Sequence, residues 1–339
     1  MKNTNLILGK VGIGKTTGYM FEKVNEIIEK EENLLIVDSK EEYYKTYAET
    51  LNKKGYNTYI INFKEPLKSN GFNPLLMPYK YYKSANKDKA IKIISNFSKS
   101  LMYDSNAMDP FWNNSAASYL TGIILLLFNE AKEEEISLAS VHVMITQIEN
   151  NIEKFREYLK KVDVASSEYT FLSSTVFAPN ETRGGIISVL KMNLTKYLSL
   201  EYLLNLLCSN EIDLSNIKNK TALFIINNNY CSKLTNAIIS EVINTKEKFN
   251  YIFDNFDSIS RINEFEDLLD NAIVDGNTIY VVSRNIEYLN QTYGNLIVDK
   301  FENIEYVQDG LSLTDIGNYN EYPDTKQIDK KFFDIMSIL

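Results

Sequence analysis

The chain has 339 residues, of which 44% are hydrophobic and 24% charged, and its net charge is −9 at pH 7. This length and composition are typical of a soluble globular protein with one large or two ordinary domains. The acidic balance disfavours a surface that coats nucleic acid without specificity, since such domains are usually basic, and it leaves a local basic groove open. With one histidine and two cysteines, a zinc cluster, a histidine-dependent triad and a disulfide framework are all disfavoured.

The first 63 residues alternate between short apolar runs and amphipathic stretches. Strands are predicted over 6–8, 34–37 and 58–63, and helices from Lys15 to about residue 28 and over 43–54. The run LLIV at 34–37 is apolar throughout, as expected of a buried parallel strand. This order predicts a doubly wound α/β core.

The middle of the chain has a different pattern. Helices are predicted over 87–102, 113–132, 138–147, 152–162 and 185–207. Strands return over 221–226, 251–253 and 278–282, with helices over 234–248 and 265–273, and the last thirty residues carry only turn signals. We therefore predict an α/β core made of residues 1–78 and 209–339, with an all-helical domain of residues 79–208 inserted into it.

The most apolar run is YLTGIILLLF, residues 119–128. A membrane-spanning helix needs about 20 apolar residues, so this run predicts a buried helix instead. The sequence also lacks the pattern of a signal peptide. We therefore expect a soluble, cytosolic chain.

The segment between the first strand and the first helix carries the clearest motif. Gly9, Gly14, Lys15 and Thr16 match the phosphate-loop pattern G-x-x-x-x-G-K-[ST] without a mismatch. In such a loop, backbone N–H groups cradle phosphates at a helix N-terminus, the lysine reaches the β- and γ-phosphates, and the hydroxyl ligates Mg²⁺. The predicted ligands are ATP and Mg²⁺, and the predicted nucleotide-binding residues are Gly9, Gly12, Gly14, Lys15, Thr16 and Thr17.

An acidic residue that ends a buried strand beside the loop is expected to hold the Mg²⁺ together with Thr16. Asp38 follows the strand at 34–37, and Asp254 follows the strand at 251–253. Either strand could neighbour the first one. The spacing therefore leaves both candidates open.

Six segments, taken in order, extend the pattern over nearly the whole chain: NTNLILGKVGIGKTT, LLIVDSKEEYYKTYAETLNKKGYNTYIINF, GFNPL, DPFWNNSAASYLTGIILLLF, YIFDNFDSISRINEFEDLL and QTYG. Together they resemble the type IV coupling proteins, the DNA-transfer ATPases of conjugation and type IV secretion, which are grouped with FtsK-like and HerA-like pumping ATPases. The resemblance implies a RecA-like core with an inserted helical domain. It also implies that Asp254 is the Walker-B residue and a metal ligand, with Asp38 on the neighbouring strand.

Three departures from this family bear on hydrolysis, and they make Asp254, Asn255 and Arg284 the candidate catalytic residues. The family usually has Glu where this chain has Asn255, and Gln where it has Arg284. The family's Arg-x-Arg-Gly finger segment is matched by NAIVDGN, residues 271–277, without an arginine. Loss of a finger arginine typically lowers the rate by about 10³–10⁵. Arg261 or Arg284 as a replacement finger, and Asp257 as a displaced acid, remain open.

The resemblance implies an ATP-binding coupling protein that links nucleotide state to transfer of single-stranded DNA or a relaxase–DNA complex. Its other partners would be secretion-channel proteins and further copies of itself in a ring, such as a hexamer. It would be cytoplasmic, at the cytoplasmic face of the cell membrane, which it would reach through a preceding segment or a partner. A shortened chain and a soluble paralogue both remain open, because the family's transmembrane helices precede the phosphate loop.

Two other functions are weighed against this one. The three departures favour a scaffold or regulatory paralogue, in which ATP acts as a conformational ligand. A small-molecule kinase that uses Asp38 leaves the similarity beyond residue 75 unexplained. For a DNA path, the stretch at 79–92 interleaves lysine with tyrosine, which suits phosphate pairing with base stacking, but the alternative, a solvated helix entry, is favoured.

Overall fold

The computed structural model describes residues 3–245, 247–308 and 311–313. Within these ranges, eight strands form one sheet in the order β3-β4-β2-β5-β6-β1-β7-β8. All neighbouring pairs are parallel except β7 and β8, so the predicted mainly parallel sheet is confirmed. The strands are β1 Thr4–Leu8, β2 Leu34–Val37, β3 Asn57–Asn62, β4 Thr221–Ile226, β5 Asn250–Phe253, β6 Thr278–Ser283, β7 Asn303–Gln308 and β8 Leu311–Leu313.

Thirteen α-helices accompany the sheet in the part of the chain that the structure describes. Eight of them, α3 to α10, lie between β3 and β4 in the sequence. The helices are α1 Phe21–Glu29, α2 Glu42–Lys53, α3 Leu76–Lys83, α4 Lys87–Met102, α5 Pro110–Glu130, α6 Leu138–Asn150, α7 Ile152–Leu159, α8 Ser167–Val176, α9 Asn180–Leu198, α10 Glu201–Leu207, α11 Ser232–Ile243, α12 Phe265–Asp275 and α13 Glu287–Tyr293.

Several elements differ from the prediction. The helix predicted over 185–207 is two helices, α9 and α10, and α3 begins before the predicted boundary at residue 79. Helix α8 was not predicted because its sequence, SEYTFLSSTV, is rich in Ser and Thr. It packs closely on α5, where a Cβ on Gly122 would lie 2.6 Å from Leu172 Cγ. Strand β7 was also missed, and the predicted turn-rich tail lies outside the described residues apart from β8.

Helices cover both faces of the sheet. On one face α1 and α2 bury residues such as Val24, Ile27 and Leu51 against β2, β4 and β5. On the other face, α11 and α12 belong to an apolar cluster that continues without a break into α3 to α10. The division at residues 78 and 208 therefore stays a prediction, because one core joins the helices to the sheet.

Helix α5 lies in the centre of the helical part. Its apolar run is buried on all sides, which explains why it carries almost no amphipathic pattern. Asp109 caps its N-terminus by accepting a hydrogen bond of 2.9 Å from the Phe111 N–H. Over the described residues, no helix has the combination of length and apolar character needed to cross a membrane.

Glu241, in α11, has a buried carboxyl group. Neither of its oxygens has a hydrogen-bond partner among the described residues. Burial raises the pKa of this group well above its usual range. The folded chain therefore keeps Glu241 protonated at a pH where the unfolded chain has released the proton.

We expect the stability of the chain to fall as the pH rises above the pKa of Glu241 in the unfolded chain, about 4.3. There the folded state binds more protons than the unfolded state, so this group contributes a slope of up to about 1.4 kcal/mol per pH unit. Glu241→Gln should remove that slope and raise Tm at neutral pH. Thermal unfolding from pH 5 to 8 tests this, with the exposed Glu29→Gln as control. Parallel curves for Glu241→Gln and the wild type would contradict the prediction.

Candidate nucleotide-binding site

The phosphate loop joins β1 to one π-helical turn, Lys15–Met20, that continues into α1. Gly12 and Gly14 have φ angles of +85° and +82°, a left-handed conformation that residues with a side chain rarely adopt. The Gly14 carbonyl accepts hydrogen bonds from the N–H groups of Gly18 and Tyr19, at 2.8 and 3.3 Å. Glycine at positions 12 and 14 is therefore needed for the path of the loop into the helix.

Gly9 has a different reason to be glycine. A Cβ at this position would lie 2.8 Å from the backbone carbonyl oxygen of Val307 in β7, and it would also overlap Ile13. Real Cβ atoms do not approach a carbonyl so closely, and a strand that is paired in the sheet cannot easily move away. The loop thus lies directly against the end of β7.

We expect Gly9→Ala to destabilise the chain by about 1–3 kcal/mol, the usual effect of forcing extra volume into a packed site. The shifted loop should also bind nucleotide more weakly. Urea unfolding and nucleotide titration test this, with Gly184→Ala as control because a Cβ there meets open space. An unfolding midpoint for Gly9→Ala equal to that of the wild type would contradict the prediction.

Lys15 folds back onto its own loop. Its ammonium group donates hydrogen bonds to the carbonyl oxygens of Gly9 and Lys10, the latter at 2.8 Å. Partial burial is the main cause that lowers the pKa of this group, and the nearby carboxylate of Asp254 acts in the opposite direction. The positive charge of the Lys15 ammonium group therefore lies within the loop, where it could pair with a bound phosphate.

Thr16 and Asp254 meet across the cleft. The Thr16 hydroxyl donates a hydrogen bond of 2.7 Å to Asp254 Oδ2, and the Asn255 N–H donates one of 2.8 Å to Oδ1. Hydroxyl and carboxylate oxygens are the ligands that Mg²⁺ prefers. This pair fits a Mg²⁺ ion held between the phosphate loop and β5.

The strand that carries Asp254 does not lie beside the strand of the loop, so that expectation is wrong. Strand β6 pairs with β1 on one side and with β5 on the other. The carboxyl ends of parallel strands share one edge of the sheet, and the side chains still converge there. Asp254 reaches Thr16 across the end of β6.

Asp38 follows β2, which pairs with β5 as the family resemblance implied. Its buried carboxylate accepts hydrogen bonds from the N–H groups of Lys40, Tyr43 and Tyr44 at 3.1, 2.9 and 3.4 Å. Burial raises the pKa of this carboxyl, and the three hydrogen bonds act against that rise. Asp38 thus holds the start of α2. This use of its oxygens supports Asp254 as the metal ligand and gives no support to a kinase that uses Asp38.

The three remaining candidates also line the cleft. Asn255 has a left-handed backbone, with φ of +56°, and its side-chain amide lies 3.4 Å from the Ser39 hydroxyl. Arg284 follows β6 and forms an ion pair of 2.9 Å with Asp257. The cleft is lined by Lys10, Val11, Gly12, Gly14, Lys15, Thr16, Thr17, Asp38, Ser39, Lys40, Glu42, Asp254, Asn255, Asp257, Val282, Ser283 and Arg284.

The sequence matches the family described as Type IV secretory system Conjugative DNA transfer over residues 4–295. The chain belongs to this family. The family predicted from the six segments is thus confirmed. No curated protein shows significant similarity to the chain.

Solved structures share the fold. The conjugative coupling protein TrwBdeltaN70, in its unbound form, has a TM-score of 0.61 at 12% identity, covering 89% of this chain and 68% of that one. TrwB with ADP and Mg²⁺ has a TM-score of 0.60 at 13% identity, covering 89% and 69%. VirB4 of Thermoanaerobacter pseudethanolicus has a TM-score of 0.56 at 14% identity, covering 90% and 76%. The predicted RecA-like P-loop fold is confirmed.

Two expectations drawn from this family can be compared with the structure. Residues 271–277, at the position of the family's finger segment, form the end of α12 and the turn after it. Arg261 donates hydrogen bonds to Glu266 and to the Thr292 carbonyl, and its guanidinium lies 4.9 Å from the centre of the Tyr293 ring. Arg261 is therefore fully engaged within its own chain, which disfavours it as a replacement finger.

The proposed stacking role of the Tyr–Lys stretch at 79–92 is wrong. Tyr79, Tyr81 and Tyr82 are buried in the core that joins the helices to the sheet. Three lysine ammonium groups lie about the rings, 5.0–5.4 Å from their centres: Lys83, Lys87 and Lys89. Rings packed in the core cannot stack on bases. This stretch instead forms the end of α3 and the start of α4, with lysine side chains lying over the buried rings.

Some cleft residues were not singled out in the sequence. Ser39, Lys40 and Ser283 lie at or just after the carboxyl ends of β2 and β6, at the same edge of the sheet as the phosphate loop. The signal that could have found them is the position after each buried parallel strand, because ligands bind outside those strand ends.

Proposed function

We propose that the chain is an ATP-binding coupling protein of a conjugation or type IV secretion system, which links its nucleotide state to transfer of DNA or a DNA–protein substrate. The observation that carries the proposal is the 2.7 Å hydrogen bond between Thr16 and Asp254, beside an intact phosphate loop in a member of the conjugative DNA-transfer family. This pair requires two elements that are 238 residues apart in sequence to meet at the loop.

The nucleotide would bind with its phosphates in the loop. Backbone N–H groups and side chains of Gly9, Gly12, Gly14, Lys15, Thr16 and Thr17 would hold the phosphates, and Thr16 with Asp254 would hold Mg²⁺. The metal supplies charge neutralisation for the phosphate oxygens when it is bound. Solved structures of TrwB in complex with a non-hydrolysable ATP analogue, and with ADP and Mg²⁺, support these ligands.

Hydrolysis at this site would be slow. The Asn255 amide can orient a water molecule but cannot take its proton at neutral pH. Asp257 offers no free replacement, because both of its oxygens accept hydrogen bonds from Ser283 and Arg284. These two observations favour a second candidate function, a nucleotide-binding scaffold or regulatory subunit of the same machinery.

The partners follow from the family setting. They would be single-stranded DNA or a relaxase–DNA complex, secretion-channel proteins, and further copies of the chain in a ring such as a hexamer, where a neighbour could complete each site. The protein would work in the cytoplasm, at the cytoplasmic face of the membrane.

Nucleotide binding and turnover separate the two functions. Mg-ATP binding and phosphate release are measured with and without single-stranded DNA, together with oligomer size. DNA-stimulated turnover that Lys15→Ala abolishes would support the coupling motor and contradict the scaffold. Binding without turnover, even with DNA at high protein concentration, would contradict the motor. A chain that binds no nucleotide would contradict both.

A further inference from the structure

Arg284 occupies a defined place in the cleft. It directly follows β6, the strand between β1, which leads into the phosphate loop, and β5, which leads to Asp254. Its side chain is 57% exposed and lines the same cleft as Lys15, Thr16 and Asp254. Arg284 therefore lies at the edge of the sheet between the strand that leads into the phosphate loop and the strand that leads to Asp254.

Asp257 fixes the position of Arg284 by accepting its hydrogen bonds. Its carboxylate is only 4% exposed, and Oδ2 accepts hydrogen bonds from Arg284 Nε at 2.9 Å and from the Arg284 backbone N–H at 3.1 Å. The other oxygen accepts one from the Ser283 hydroxyl at 2.5 Å. A buried carboxylate with three donors fixes both the turn after β6 and the first part of the guanidinium.

The terminal nitrogens of Arg284 remain available. Among the described residues, the arginine side chain donates only through Nε, and its two Nη nitrogens have no hydrogen-bond partner. Those nitrogens form the outer part of a planar fork, which matches the geometry of two phosphate oxygens. The side chain is thus anchored at one end and open at the other.

Three positively charged side chains, Lys15, Lys40 and Arg284, line the same cleft. Like charges that face one cleft repel each other. A phosphate group bound between them would relieve that repulsion.

We propose that Asp257 positions Arg284 through Nε so that its Nη nitrogens bind the terminal phosphate of a nucleoside triphosphate. Arg284 thereby makes the site selective for triphosphate over diphosphate, and Asp257 is a positioning residue. This inference rests on the proposed nucleotide binding. The loop would hold the phosphates that the two nucleotides share, whereas Arg284, at the end of β6, would hold the additional one.

The test compares two nucleotides on the full chain. Affinities for a non-hydrolysable ATP analogue and for ADP, both with Mg²⁺, are measured by calorimetry. Arg284→Gln should lower the affinity for the ATP analogue by about 10–100-fold, the effect of losing charge-assisted hydrogen bonds, and should leave the affinity for ADP unchanged. Asp257→Asn should also lower the ratio of the two affinities, by a smaller factor. Arg284→Lys should recover part of the loss, because it restores the charge without the fork.

Arg156→Gln, a substitution in α7 outside the cleft, serves as the matched control and should leave both affinities unchanged. Thermal unfolding of each variant checks that it is folded. Suppose that the wild type binds both nucleotides. If Arg284→Gln then lowers the two affinities equally, or lowers neither, the inference is overturned while the proposed function stands. A wild-type chain that binds neither nucleotide would overturn the proposed function and this inference with it.

Discussion

Lys15→Ala is expected to reduce ATP affinity by about 10²–10⁴-fold, because the lysine would make charge-assisted hydrogen bonds to two phosphate groups. In the structure its ammonium lies within the loop, on the Gly9 and Lys10 carbonyls. The alanine variant keeps the backbone cradle and loses the charge that pairs with the phosphates. Binding is measured by titration with a fluorescent ATP analogue.

The matched control is Lys53→Ala, which removes an exposed lysine from α2. It should bind ATP like the wild type. Thermal unfolding separates loss of binding from loss of folding. A Lys15→Ala chain that is folded and binds ATP as tightly as the wild type would show that the loop is not the phosphate site.

Asn255→Glu is expected to raise the rate of ATP hydrolysis by about 10²–10⁴-fold, the usual contribution of a positioned general base. The residue directly follows Asp254 and lies in the cleft. Its left-handed backbone is easier for Asn than for Glu, so the substitution should also cost about 1–2 kcal/mol of stability. Phosphate release at saturating Mg-ATP measures the rate.

Asn255→Gln is the control for this gain. It has the size of Glu and no group that accepts a proton, so it should leave the rate unchanged. Combining Asn255→Glu with Lys15→Ala should remove the gain. If Asn255→Glu binds ATP normally and still fails to hydrolyse it faster, the missing carboxylate is not what limits turnover.

Local patterns in the sequence were sufficient where one segment carries all the information. The phosphate loop is one continuous segment. The positions where its backbone is left-handed can be recognised in the sequence because they are glycines. Strand β2 is apolar at every position and β4 at every position after Thr221, which identifies them as buried parallel strands before any partner is known. Helix α8 and strand β7 were missed because their sequences are mixed and only their packing partners stabilise them.

The predicted site needed contacts between distant segments. Asp38 and Asp254 both end buried strands, so their spacing does not distinguish them. The family resemblance favoured Asp254, and the structure shows the contacts that separate the two. The carboxylate of Asp38 accepts hydrogen bonds from the start of α2, whereas that of Asp254 accepts one from Thr16. The tyrosines at 79–82 are of a type that can stack on bases, but their burial excludes a base-stacking role.

The sequence alone determined that this chain has a phosphate loop, an α/β core and the order of segments that marks the conjugative DNA-transfer family. Those features are written in runs of neighbouring residues. Only the tertiary structure decided that β6 lies between β1 and β5, that Thr16 meets Asp254 and that Asp257 holds Arg284. The physical reason is that strand order and side-chain pairing depend on packing free energy summed over the whole core, which no single segment encodes.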